Sequence, residues 1–241
     1  MNAPHRLAIN GAHGRMGQQL CALAAADARF ELVATCTSAT DFAALPAFEV
    51  MVDFSAPAGL ARALDHCERH GVALVSGTTG LDPDLQQRLD AVARRIALLH
   101  AANFSLGVAL LAQLVAHAAA ALPHWDLEIL EAHHSAKRDA PSGTALALGQ
   151  AAASARGVDF DAVKAIDRRG ERVPGSIGFG VLRAGDIVGE HTMLLATRGE
   201  RIELSHRATD RAIFARGALH AAAWLAGRGA GRYTIGDVLA V

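Results

Sequence analysis

The sequence predicts an α/β protein: a Rossmann-like parallel sheet with helices on both faces, plus an inserted α+β domain with a mostly antiparallel sheet. Three observations predict it. Short apolar runs alternate with helical segments in the N-terminal half, a glycine cluster follows the first run, and short alternating runs punctuated by glycine lie within residues 177–207. Alternation of apolar strands with helices indicates a parallel sheet covered on both faces.

The N-terminal half contains five apolar runs of strand length. They are residues 7–10, 31–37, 50–54, 72–76 and 96–100. The segments between them predict helices at 16–26 and 57–70 and one that begins at Asp82–Pro83. Proline suits a first helical turn, and Gly71 is placed to end the second helix.

The C-terminal half follows a different pattern. It predicts a helix at 106–122, a strand at 127–133, a helix from Pro141, antiparallel strands within 177–207, a helix at 211–225 capped by Asp210, and a tail at 233–241. Residues 157–176 are polar and contain Gly157, Gly170, Pro174 and Gly175. A long apolar helix followed by short strands is typical of an α+β domain.

Composition restricts the partners and the compartment. The 241 residues are 51% hydrophobic, and 23 Lys plus Arg against 24 Asp plus Glu leave a net charge of -1. Without a basic block, we expect no nucleic-acid partner. The three cysteines lack metal-binding spacing, and neither a leader segment nor a membrane-length apolar run is present, so we expect a cytoplasmic protein without a membrane partner.

The glycine cluster Gly11–Gly17 lies between a predicted strand and a predicted helix. Glycine allows the backbone to approach a pyrophosphate, and a helix N-terminus offers unpaired N–H groups. The spacing G-x-x-G-x-x-G departs from the usual G-x-G-x-x-G, and an ordinary glycine turn is the alternative. Because an α/β array follows, we favour a dinucleotide. The candidate contacts are Gly11, Ala12, His13, Gly14, Arg15 and Met16.

The end of the second strand bears on the choice of cofactor. An acidic residue there usually binds the ribose 2′-hydroxyl of NAD, but this chain has Thr37 and Ser38. Those hydroxyls, with Arg15 as a cation, permit a 2′-phosphate. We therefore favour NADPH and leave NADH open.

Two further loops follow predicted strands at the carboxyl edge of the sheet, where ligands of such folds bind. Ordinary strand-to-helix loops are the alternative. The candidate residues are Gly77, Thr78 and Thr79 in one loop and Ala101, Ala102, Asn103 and Phe104 in the other.

A dense polar cluster follows the strand at 127–133: Glu131, His133, His134, Lys137 and Asp139. Metal binding is disfavoured because adjacent strand residues point to opposite faces and no further ligand has useful spacing. A solvated loop would not account for the Pro-Ser-Gly-Thr helix entry that follows.

An anion site accounts for both the polar cluster and the helix entry that follows it. Lys137 and His134 supply positive charge, while the N–H groups near Gly143 and the Thr144 hydroxyl suit a carboxylate, so we expect a small dicarboxylate substrate. His133 is a general-acid candidate because imidazole titrates near neutral pH, and Lys137 is able to share that role.

These residues resemble a known family. Five segments resemble, in the same order along the chain, the signature blocks of 4-hydroxy-tetrahydrodipicolinate reductases, also called dihydrodipicolinate reductases. They are Gly11–Gly17, Gly77–Gly80, Ala101–Phe104, residues 131–145 and Gly185–His191. The resemblance spans the whole chain and implies NAD(P)H-dependent reduction in lysine and diaminopimelate biosynthesis.

The resemblance also implies roles and domains. His133 and Lys137 would act in catalysis, His134, Gly143 and Thr144 would bind substrate, and the N-terminal blocks would bind the cofactor. Residues 1–104 and 214–241 would form the dinucleotide-binding domain, and 105–213 the substrate domain that assembles a homotetramer. The chain departs from the family at Thr37 and Ser38 and in the short segment between Ser38 and Val50.

A non-enzymatic NAD(P)-binding sensor and a dehydrogenase for another amino-dicarboxylate are the alternative functions. The sensor would not need an acid beside an anion site, whereas the other dehydrogenase would use the same anion site with a different carbonyl or imine.

Overall fold

The computed structural model describes residues 3–239, and the chain divides into two compact units. The first consists of the N-terminal segment through Leu106 together with the segment from Ala212 onward. The second is Gly107–Arg211. The predicted tail extends to residue 241, and its last two residues lie outside the described part.

The first unit is built on a six-stranded sheet in which every pairing is parallel. Its strands are β1 (His5–Asn10), β2 (Phe30–Cys36), β3 (Val50–Asp53), β4 (Ala73–Ser76), β5 (Ala97–His100) and β11 (Gly231–Tyr233). Their order across the sheet is β11-β5-β4-β3-β1-β2. The five apolar runs therefore form strands, as the sequence predicts.

Helices cover both faces of this sheet. They are α1 (Arg15–Ala25), α2 (Pro57–His70), α3 (Pro83–Ala93) and α7 (Ala212–Leu225). Strand residues alternate between two cores: Leu7 and Val52 pack with α1 and α7, whereas Ala8 and Met51 pack with α2 and α3. The period-2 alternation of a strand buries both faces, which confirms the Rossmann-like prediction.

The ends of two helices follow directly from sequence. Gly71 ends α2 in the left-handed conformation, with φ of 65°, which glycine adopts without a Cβ clash. Asp82 caps α3 by accepting a hydrogen bond from the Leu85 N–H at 2.8 Å. The short spacing between β2 and β3 holds a single turn of 3-10 helix, Phe42–Ala44.

The second unit combines helices with a mixed five-stranded sheet of order β10-β9-β6-β8-β7. Its elements are α4 (Leu106–Ala121, which begins at the junction of the units), β6 (Asp126–His133), α5 (Gly143–Ala155), α6 (Phe160–Val163), β7 (Lys164–Ala165), β8 (Ile177–Arg183), β9 (Gly189–Thr197) and β10 (Glu200–Ala208).

Strand direction in this sheet is partly as predicted. β9 runs antiparallel to β10 and β6, whereas β8 runs parallel to β6 and β7. The parallel pair arises because α5 carries the chain across between β6 and β8, as a parallel connection requires. The polar stretch 157–176 contains α6 and β7, neither of which its sequence pattern predicts.

One face of β6 leads from the core to the polar cluster. Leu127 and Ile129 are fully buried against α5, and the next residues on that face are Glu131 and His133. The intervening positions face the other way, and Leu130 is 49% exposed. Among the described residues, no helix combines the length and the hydropathy needed to cross a membrane.

Candidate active site

A buried carboxylate joins the loops at the carboxyl edge of the first unit's sheet. Asp53, at the end of β3, is fully buried. It accepts hydrogen bonds from Asn10 (2.8 Å), Ser55 (2.5 Å), Ser76 (2.8 Å) and Thr78 (2.7 Å). These donors lie at or just beyond the ends of β1, β3 and β4, so one side chain fixes the relative positions of three loops.

The glycine turn before α1 needs glycine at two positions. A Cβ on Gly11, whose φ is 81°, would overlap the Phe54 carbonyl, and one on Gly17 would overlap the Gly11 carbonyl. Gly14 precedes α1 in an extended conformation, and no side chain caps the helix. Its first N–H groups therefore remain available to an anion, as a pyrophosphate requires.

Two clefts lie beside this turn, of about 280 and 320 Å3. Both are lined by Gly11, Thr37, Ser38 and Ser55; the first also by His13, Gly14 and Phe54, and the second by Asn10, Ala56, Ala58, Gly59 and Arg62. Thr37 and Ser38 therefore lie where the sequence predicts. Arg15 is exposed and lines neither cleft.

The remaining predicted cofactor residues of the first blocks differ in exposure. Ala12 is buried, and Met16 packs partly into the core. The Thr78 hydroxyl is bonded to Asp53, whereas Thr79 is exposed. Gly77 leaves room for the Phe54 ring, which a Cβ would overlap.

The Ala101–Phe104 segment packs beside that ring. Phe104 is 1% exposed, and its ring centre lies 5.4 Å from that of Phe54. Ala102 is exposed, Ala101 is half-buried, and the Asn103 side chain accepts a hydrogen bond from the Ser105 N–H at 2.8 Å. The backbone of this loop is thereby held at the carboxyl edge of β5.

In the second unit, Glu131 is the centre of a buried network. Its carboxylate accepts two hydrogen bonds of 2.8 Å from the Arg183 guanidinium, one of 2.5 Å from Nδ1 of His133 and one of 2.9 Å from the Ser142 N–H. Burial alone would raise the pKa of Glu131, but the bonds from Arg183, His133 and Ser142 leave it lowered. Glu131 is therefore a carboxylate at neutral pH.

The network determines the state of His133. The bond to Glu131 assigns the proton to Nδ1 in the neutral ring, so Nε2 is the atom left for chemistry. Burial lowers the pKa of His133, and Lys137 and Arg183 add to the effect, although Glu131 opposes it. A Cβ at Gly189 would lie 3.1 Å from Nε2, so glycine at this position avoids a tight contact with that atom.

A second histidine lies beside the first. His191 on β9 is 4% exposed, and its ring centre is 5.2 Å from that of His133. Its Nε2 is 3.1 Å from the Ser142 hydroxyl, which also caps α5 by accepting from the Ala145 N–H. Burial, with the neighbouring His133, lowers the pKa of His191 to about 4, so this ring is neutral near pH 7.

The predicted anion-binding residues lie around this network. Lys137 Nζ is 2.8 Å from both carboxylate oxygens of Asp139, whose side chain is 61% exposed. His134 is half-buried at the turn before Lys137, and Gly143 begins α5 as an exposed residue with half-buried Thr144 next to it. The second unit therefore brings the predicted residues together near the end of β6 and the start of α5.

Sequence reasoning missed two members of the network. Arg183 lies 52 residues after Glu131, on the strand parallel to β6, and its role depends on the register of that pair. His191 falls within the Gly185–His191 block of the resemblance, but no spacing rule assigned it a partner. In the described part of the chain, no cluster of three or more His, Cys, Asp or Glu side chains has a geometry for binding a metal ion.

The first unit has an open parallel sheet with a glycine turn at its first helix, and the second unit has a histidine-carboxylate network. Together these features define the class of nicotinamide-dependent oxidoreductases with a separate catalytic unit. Comparisons with known proteins narrow the class. The family model for the N-terminus of dihydrodipicolinate reductase matches residues 5–104, and the model for its C-terminus matches residues 107–239. The chain belongs to the dihydrodipicolinate reductase family.

Relatives support this membership over nearly the whole chain. The chain is 47% identical to the 4-hydroxy-tetrahydrodipicolinate reductase of Xanthomonas euvesicatoria pv. vesicatoria (strain 85-10), with 97% of each chain covered. It is 44% identical to that of Caulobacter vibrioides, covering 99% of this chain and 98% of the relative. Its fold resembles a dipicolinate-bound dihydrodipicolinate reductase from Paenisporosarcina sp. TG-14, with a TM-score of 0.80, 24% identity, and 99% and 100% coverage.

Proposed function

We propose that the chain reduces 4-hydroxy-tetrahydrodipicolinate to tetrahydrodipicolinate in lysine and diaminopimelate biosynthesis. The reaction consumes one NADPH or NADH and one proton and releases one water. The observation that carries the proposal is the Glu131-Arg183-His133 network, which holds an imidazole beside a helix N-terminus in a chain of this family.

The first unit supplies the dinucleotide site. The Gly11–Gly17 backbone and the start of α1 bind the pyrophosphate, because glycine allows close approach and the helix N–H groups are uncapped. The Gly77–Thr79 and Ala101–Phe104 loops contact the remainder of the cofactor through their backbones, since the Thr78 hydroxyl is bonded to Asp53. When bound, NADPH or NADH supplies the hydride.

The second unit binds the dicarboxylate. The N–H groups at Gly143 and the Thr144 hydroxyl bind one carboxylate at the start of α5, where the helix dipole also favours an anion. Lys137 and His134 bind the other. Lys137 exchanges its exposed Asp139 partner for the substrate carboxylate, and an exposed ion pair costs little to break.

Loss of the 4-hydroxy group as water gives a conjugated imine, and C4 of that imine accepts the hydride. His133 assists protonation of the enamine that results, which completes tetrahydrodipicolinate. Its Nδ1–H remains hydrogen-bonded to the Glu131 carboxylate, so Nε2 is the atom that carries and delivers the proton. The lowered pKa of His133 makes its protonated form a stronger acid than ordinary imidazolium. Lys137 shares this role because its ammonium lies within the same polar cluster.

The outer face of the second unit's sheet supports assembly into a homotetramer. Leu130 and Leu182 are 49% and 52% exposed on adjacent strands, and a cleft of about 340 Å3 is formed there with Gly180 and Thr192. Exposed apolar side chains that are adjacent on one face of a sheet favour contact with a second copy. A cytoplasmic location is supported by the three free thiols of Cys21, Cys36 and Cys67.

A coupled assay tests the function. The substrate is produced in place by its synthase, and NADPH or NADH oxidation is followed by absorbance with purified protein. We expect oxidation only when synthase, its substrates and this protein are all present, and His133→Gln should remove most of it. Binding of NADPH without oxidation would instead favour a sensor, and turnover with another amino-dicarboxylate alone would favour a different dehydrogenase.

A further inference from the structure

The cleft beyond β2 contains a cation that the sequence pattern does not indicate. Arg62 lies in the second turn of α2, 22 to 24 residues after the loop that it contacts. It lines the cleft of about 320 Å3 together with Thr37 and Ser38. In a Rossmann-like sheet, the end of the second strand is where the adenosine ribose of a dinucleotide binds.

The Arg62 side chain is held in place before any ligand arrives. Its NH1 group donates to the Ser38 carbonyl at 2.8 Å, its NH2 group donates to the Thr40 carbonyl, and its Cζ lies 4.6 Å from the centre of the Phe42 ring. Because these contacts already restrict the rotamers, binding an anion would cost little further side-chain entropy.

The charge of Arg62 is not neutralised by a neighbour. Both of its hydrogen-bond acceptors are neutral carbonyls, and within residues 3–239 it forms no ion pair with a carboxylate. A guanidinium has five N–H donors, so three remain after these two bonds. The Ser38 hydroxyl, which is exposed at the same cleft, adds another donor.

We infer that Arg62 binds the 2′-phosphate of NADPH and makes NADPH the preferred cofactor of this protein. A guanidinium pairs with phosphate through parallel charge-assisted hydrogen bonds, which a ribose hydroxyl does not match. Arg62 thereby replaces the basic residue that is missing at Thr37 and Ser38. The inference rests on the dinucleotide site of the proposed function and adds its selectivity.

Binding measurements on Arg62→Met and Arg62→Lys test this directly. Dissociation constants are measured for NADPH, NADH, 2′,5′-ADP and 5′-AMP by calorimetry, without turnover. We expect Arg62→Met to weaken NADPH and 2′,5′-ADP by about 10- to 100-fold, with NADH and 5′-AMP changed by less than about twofold. Arg62→Lys should fall between, because it keeps the charge and loses the planar fork.

Arg88→Met is the matched control. Arg88 lines a neighbouring cleft on α3, but it is paired with Asp65, and its removal should change none of the four affinities by more than about twofold. In the wild type, rising salt should reduce the preference for NADPH over NADH, a test that needs no variant. Equal weakening of both dinucleotides in Arg62→Met would mean that Arg62 only holds the loop, and a salt-independent preference would also overturn the inference.

The outcomes separate this inference from the proposed function. If the wild type binds neither NADPH nor NADH, the dinucleotide site itself is wrong. If the wild type binds both and turns over substrate while Arg62→Met keeps the wild-type preference, only the role of Arg62 is wrong.

Discussion

Replacing Glu131 with Gln removes the negative charge at the centre of the His133 network and keeps the side-chain volume. The carboxylate accepts four hydrogen bonds, from His133, Ser142 and twice from Arg183, whereas an amide oxygen and an NH2 group are unable to accept all of them. We expect the imidazole to lose its fixed tautomer, and Arg183 to lose the carboxylate to which it is hydrogen-bonded.

The size of the effect follows from the bonds that are lost. A hydrogen bond to a charged partner contributes about 1.5–3 kcal/mol, and each 1.4 kcal/mol is tenfold in rate, so kcat should fall about 10- to 100-fold. Since Glu131 raises the pKa of His133, the pH above which kcat falls should move lower in the variant. KM should change less than kcat, because Glu131 contacts Nδ1 of His133 and not the Nε2 atom that faces the substrate in the proposed function.

Steady-state kinetics across pH, with thermal unfolding measured in parallel, checks this prediction. Glu128→Gln is the matched control, because Glu128 lies on the same strand, faces the opposite side and also pairs with arginines, Arg168 and Arg172. It should leave kcat and its pH profile unchanged. An unaltered pH profile in Glu131→Gln, or an equal loss of kcat in Glu128→Gln, would refute the positioning role.

Three further predictions concern stability, substrate binding and the glycine turn. The pKa of His191 is about 4, against about 6.5 for an unfolded histidine, so the unfolded chain binds more protons between these two pH values. The free energy of unfolding should therefore fall by up to about 3 kcal/mol between pH 6.5 and 4. Urea unfolding should show a smaller fall in His191→Gln, and an equal dependence of stability on pH in both proteins would contradict the lowered pKa of His191. Lys137→Ala should lower kcat and raise KM. Asp139→Asn should lower KM by up to about fivefold, because the exposed Lys137–Asp139 ion pair competes with the substrate and contributes at most about 1 kcal/mol. A higher KM in Asp139→Asn would be inconsistent with competition between Asp139 and the substrate for Lys137. Gly17→Ala should weaken NADPH binding at least about tenfold, because its Cβ overlaps a carbonyl, while Gly229→Ala, with open space around it, should not; similar affinities in calorimetry would count against the turn.

The sheet of the first unit could be predicted from sequence because its strands are buried on both faces. Such strands are continuous apolar runs, as in Val50–Asp53, and helix ends carry their own signals, as at Gly71 and Asp82. The direction of β8 could not be predicted, since it depends on how α5 crosses the sheet and not on local pattern.

The candidate site was predictable only for residues close together in the chain. The cluster from Glu131 to Thr144 is local, so its residue types and the helix entry indicate an anion site. Arg183 and Arg62 act on residues far away in sequence, and their contacts follow from sheet register and helix packing. Arg15, the cation that the sequence offers beside the turn, is exposed and outside both clefts.

Isotope transfer tests whether the hydride passes from the cofactor to the substrate on this protein. Purified protein is supplied with NADPH deuterated at both C4 positions of the nicotinamide ring and with 4-hydroxy-tetrahydrodipicolinate made in place by its synthase. We expect tetrahydrodipicolinate that carries one deuterium at C4, with one NADPH oxidised per product, as measured by mass spectrometry and absorbance. Product without deuterium, or NADPH oxidation without this product, would contradict it.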